Sequence, residues 1–161
     1  MIREDLVQLA TRLAQGPVPT LQKKVYGYQG NINVLLDALP STVTMQTRVT
    51  DACDRNMLPA QAERLTAYLS ESLTAHIREL QARRQTSIII LREAVLLARY
   101  RMPLSLFYDL TGDAHALVLH LERGLHPQKW RFPAYVHYDS EAPTSYLERV
   151  LGGQFIRDEL S

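Results

Sequence analysis

The stretch 103-PLSLFYDLTGDAHALVLHLERGL-125 decides what kind of protein this chain is. A short apolar segment meets the break at Thr111-Gly112, and Asp113 stands where an acid would cap a second helix. Read this way, the stretch outlines a helix-turn-helix. With the first helix starting at Leu104, Gly112 takes the turn and Val118 the buried position of the second helix. Behind it, 130-WRFPAYVHY-138 is strand-like, and Pro133 confines it to an edge strand or a small β ribbon.

Together these segments resemble a winged-helix unit, which implies DNA reading. The sequence departs from that pattern at Tyr108, where two closely packed helices call for a small residue. Charge also argues against DNA. From 102 onward five basic residues face eight acidic ones, whereas affinity for DNA comes mainly from neutralising phosphates. The supposed reading helix, 113-DAHALVLHLER-123, offers only His115, His120 and Arg123 to base edges.

Composition bounds the remaining choices. The chain has 161 residues, 46% of them apolar, and a net charge of +1, so it can build a core and has no global pull toward polyanions. Its single cysteine, Cys53, excludes an intrachain disulfide and suits a reducing compartment. Arg3, Glu4 and Asp5 do not suit a signal peptide. The most apolar window, 88-IIILREAVLLA-98, is too short to cross a membrane and reads as a buried helix. A cytoplasmic protein without membrane contact is expected.

Amphipathic spacing predicts mainly helix. The first runs from Ile2 to Gln15, and a second helical region spans Thr20 through Tyr28. Asn31 caps a short helix through Leu39. Met45, Val49, Ala52 and Cys53 mark a further helical face. Pro59 suits the first turn of a long helix whose seam is Leu65, Leu69, Leu73, His76 and Leu80. No Gly or Pro intervenes before Pro103, so 59–101 is either one helix of about 60 Å or a pair broken at 85-QTS-87. A final helix covers Thr144 to Leu151 and stops at 152-GG-153.

No catalytic constellation assembles. There is no phosphate-loop or nucleophile-elbow motif, and 27-GYQGN-31 lacks the Lys and Ser/Thr of a phosphate cradle. His76 with Glu79 is the one helical pair of metal-ligand type, and a di-iron bundle needs two. Cys53, between Asp51 and Asp54, is a poor thiolate. Neither enzyme activity, cofactor nor metal is expected. Seven Arg against four Glu between 61 and 101 make Arg83 and Arg84 candidate nucleic-acid contacts, set against a solvated face with pairs such as Glu79–Arg83.

The order of short helices over residues 3 to 70, with breaks at 39-LP-40 and 58-LP-59, is similar to that of the small death-fold-like adaptor domains of bacterial effector systems. That resemblance implies self-association. The expected fold is therefore a mainly α helical bundle with one long or two consecutive central helices and a small C-terminal β ribbon. It is a single domain, with sub-units 1–58, 59–101 and 102–161. The expected function is a non-enzymatic protein–protein interaction module, an adaptor or regulatory subunit forming a homo-oligomer. Its contacts would be the seam Leu65, Leu69, Leu73, His76 and Leu80, the apolar stretch Ile88 to Ala98, and the tail residues Phe155 and Ile156. The alternative is a DNA-binding regulator using 104–125.

Overall fold

A computed structural model describes residues 4–19, 24–52, 62–83, 86–99, 102–121 and 143–157. The stretch 103–121 holds one helix, not two. Ser105–Thr111 is helical, but Ala116–Leu121 is a β-strand whose six residues are all buried. The physical reason lies in the run ALVLHL. A strand inside a parallel sheet is covered on both faces, so it needs an unbroken apolar run, not an amphipathic stripe.

In chain order the elements are α1 (Glu4–Gln15), β1 (Val25–Gln29), α2 (Ile32–Ala38), β2 (Thr44–Arg48), α3 (Ala62–Ala82) and β3 (Ile88–Arg92). Next come α4 (Val95–Arg99), α5 (Ser105–Thr111), β4 (Ala116–Leu121), α6 (Pro143–Leu151) and β5 (Phe155–Arg157). The strands form one parallel sheet in the order β2-β3-β4-β1-β5. The fold is therefore α/β and not a helical bundle, and the sheet draws strands from all of 1–58, 59–101 and 102–161.

Right-handed crossovers determine the layers. The connection from β1 to β2 runs in the opposite direction along the sheet to the three later ones, so α2 must lie on the opposite face from α3 to α6. The two cores agree. Leu6, Leu9 and Leu13 of α1 and Leu35 of α2 pack with Tyr26, Tyr28, Ile88, Ile90 and Val118. Leu65, Leu69, Leu73 and Ile77 of α3, Phe107 of α5 and Leu147 of α6 pack with Val25, Ile89, Leu91, Leu117 and Leu119. Alternate residues of each strand serve alternate cores. Gly27 in β1 leaves room for its neighbours: a Cβ there would lie 2.6 Å from the Phe155 ring and 2.9 Å from Leu151.

Several segments expected to be helical are strands. The region from Thr20 to Tyr28 contributes β1, and Met45 to Ala52 becomes β2 and a 3-10 turn, Val49–Ala52. The continuous 59–101 helix does not form, because α3 ends at Ala82 and Ile88 opens β3. The apolar window 88–98, expected as a buried helix, is β3 plus the short α4. A short apolar run has no periodicity that separates a buried strand from a buried helix. The winged helix-turn-helix fails with β4, and the death-fold-like order fails with β1 and β2. The helix capped by Asn31 is present, with the Asn31 side chain accepting from Asn33 N at 2.8 Å. So is α6, which ends at Gly152 with φ of 57°. Pro59, Cys53 and the ribbon 130–138 lie outside the described residues. No helix among the described residues is long and apolar enough to cross a membrane.

Candidate functional site at the carboxyl edge of the sheet

In an open parallel sheet, ligands bind beyond the carboxyl ends of the strands, where neighbouring connections leave toward opposite faces. Here that point lies between β1 and β4. The chain leaves β1 for α2 on one face, and the next described helix after β4, α6, lies on the other.

Among the described residues, several buried groups meet at this edge of the sheet. His120, 1% exposed near the end of β4, bonds through Nε2 to the carbonyl of Gly30 at 2.8 Å. A carbonyl can only accept, so Nε2 carries the proton. The imidazole stacks on Tyr28, centroids 5.7 Å apart, and the Tyr28 hydroxyl donates to the Asn31 carbonyl at 3.1 Å. The His120 carbonyl accepts from Ala94 N at 3.1 Å, joining the exits of β3 and β4. A phosphate cradle needs a loop of open N–H groups between strand and helix. The link from β1 to α2 is only Gly30 and Asn31, and the Asn33 N–H is already bonded to Asn31.

Beside this crevice, the exits of β2 and β3 are joined. Glu93 has φ of 65°, the left-handed region that a non-glycine residue enters at a cost. Its Oε1 accepts from Thr50 N at 3.1 Å and from the Thr50 hydroxyl at 2.6 Å. On the α3 side, Thr47 Oγ1 and His76 Nε2 are 2.7 Å apart, within reach of a hydroxyl–imidazole couple. No carboxylate among the described residues orients that ring, so the third member of a nucleophilic triad is missing. No group of three metal-competent side chains occurs among the described residues.

No protein-family model matches this chain, and neither a curated protein nor a solved structure does. The geometry is the sole guide to function.

The structure disperses the residues singled out from the sequence. Leu65, Leu69, Leu73 and Leu80 are buried against the sheet, so the seam is this chain's own core and not an open interface. His76 faces β2. Phe155 lies beside Gly27, and Ile156 is buried in β5. His115 sits at the opposite, amino end of β4, where its Nδ1–H donates to the Thr86 carbonyl at 3.1 Å. Burial pushes its pKa below the usual histidine value, with the Thr86 bond opposing. His120 cannot touch DNA from the sheet interior. Arg83 is exposed and paired with Glu79, as the spacing predicts. Arg84 and Arg123 lie outside the described residues.

Sequence reasoning passes over Arg48, Thr50, Arg92 and Glu93. A signal for two of them is present in 88-IIILRE-93, because an apolar run that stops abruptly at charges is how a buried parallel strand meets its carboxyl edge.

Proposed function

We propose that this protein is a non-enzymatic α/β interaction domain, an adaptor or regulatory subunit that binds another protein. The observation that carries the reading is that, among the described residues, the chain's own groups meet one another at the switch point. Where this architecture positions ligand chemistry, His120 bonds to Gly30 and stacks on Tyr28, and Tyr28 bonds to Asn31. What is left for recognition is the surface. The seam residues are internal, so the contact moves to the outer face of α3, where Ser70, Glu71, Thr74, Ala75, Arg78 and Leu106 border an open hollow of about 390 Å³. Small side chains there allow a partner helix to approach closely. Self-association through the same face belongs to this proposal, as does a cytoplasmic setting, which the lone Cys53 supports.

The test is affinity capture of the tagged full chain from its native cells, with light scattering on the purified protein. The expected result is a stoichiometric protein partner, or a dimer, that persists at high salt and is lost in Ala75→Arg. Ala75 is exposed, so the variant should keep its fold. Turnover of a nucleotide or ester by the purified chain, lost in His120→Ala or Thr47→Val, would replace this reading with an enzyme.

A further inference from the structure

The outer face of α3 carries two opposite charges that the helix itself does not pair. Glu71 and Arg78 both border the hollow there, and both are exposed. They stand seven residues apart, whereas ion pairs along a helix join residues three or four apart. At those spacings Glu71 and Arg78 have Ala67, Tyr68, Thr74, Ala75, Gln81 and Ala82, none of them charged. No ion pair among the described residues uses either side chain. On the same helix Glu79 and Arg83, four apart, do pair.

Beside the two charges, the hydroxyls of this face are already bonded. Ser70 Oγ donates to the Thr66 carbonyl at 2.9 Å, and Thr74 Oγ1 to the Ser70 carbonyl at 2.8 Å. Covering the face therefore strands neither hydroxyl donor. Ala75 and, from α5, Leu106 add apolar lining. The other side of α3, with Leu69, Leu73 and Ile77, lies in the core, so this is the face that α3 turns away from the sheet.

We infer that a second copy of this chain covers this face, its α3 antiparallel to the first about a two-fold axis between Thr74 and Ala75. Charge complementarity selects both the occupant and the direction. A two-fold interface brings residue i of one copy to residue j of the other, and j to i. Positions 71 and 78 lie equally far from the axis, so each Glu71 meets Arg78 of the other copy and two ion pairs close. An in-register parallel pair would set Glu71 on Glu71 and Arg78 on Arg78, and like charges repel. The inference rests on the adaptor reading and narrows its partner to the chain itself.

The experiment is analytical sedimentation of the full chain over a concentration series at physiological ionic strength. The samples are the wild type, Glu71→Arg, Arg78→Glu, the double exchange Glu71→Arg/Arg78→Glu, and an equimolar mixture of the two single variants. Both positions are exposed, so all variants should keep their fold, and circular dichroism melts check this. A wild-type dimer is expected, weakened about tenfold or more in each single variant and restored in the double exchange. The mixture should dimerise as well, because each single variant supplies the charges that the other lacks. A wild type that stays monomeric, single variants that dimerise like the wild type, or a mixture that does not recover would each overturn the inference. A monomer that still captures a different protein through Ala75 would overturn it and leave the adaptor reading standing, whereas a monomer that captures nothing would remove both.

Discussion

At the scale of single residues, Glu93 holds a strained backbone in place. Its backbone occupies a region that costs a non-glycine residue, and two hydrogen bonds to Thr50 offset that cost. Glu93→Ala removes the bonds and keeps the strain, so it should lower stability by about 1–3 kcal/mol in urea unfolding. Glu93→Gly also loses the bonds but relieves the strain, and should be less damaging than the alanine by about 1 kcal/mol. Equal losses in the two variants would show that the backbone there is not strained. His115 supplies a pH dependence. Its folded pKa lies below the ordinary histidine value of 6.5, so between the two the unfolded chain binds more protons. Stability should fall as pH drops below about 6.5, and the fall should end beneath the folded pKa. Thermal melts from about pH 7 to 5 should show a shallower decline in His115→Gln than in the wild type. Identical slopes would mean that His115 takes up its proton equally well in both states.

At the scale of elements, α3 shows how a legible pattern can be assigned the wrong partner. The spacing Leu65, Leu69, Leu73, Leu80 marks a buried helix face, and all four are buried. They pack in one core with residues of β1, β3 and β4, not on a second copy. Leu73→Ala should therefore cost about 2–5 kcal/mol. Leu73→Glu, which places a charge in the core that holds Leu91 and Leu117, should exceed about 4 kcal/mol and abolish the cooperative melt by circular dichroism. A folded Leu73→Glu monomer would return the seam to the surface as an interface. β3 and β4 pose the converse problem. IIILR and ALVLHL show neither the alternation of a half-buried strand nor the stripe of a surface helix. The Thr-Gly break before β4 suggests the turn between two helices. Gly112 does terminate α5, but the chain then crosses into the sheet.

For the whole molecule, amphipathic helices are readable because one wet face and one dry face leave a local period. The α1 face, the Asn31 cap and α6 with its Gly152 stop all depend on neighbours within a turn or two. The Glu79–Arg83 pair is local in the same way. Composition likewise establishes a chain with enough apolar residues for a core and no global charge for polyanions. The parallel sheet is not legible, because a strand covered on both faces carries no period and its partners lie far along the chain. The juxtapositions at the carboxyl edge are hidden for the same reason. Arg48 and Arg92 become neighbours only through the β2–β3 register, and His120 reaches Gly30 only because β4 pairs with β1. Local sequence thus determined which segments are amphipathic and where several helices begin and end. Tertiary structure alone decided which apolar runs became strands, which faces stayed open, and which distant polar groups came together, since burial on two sides is a property of the assembled layers.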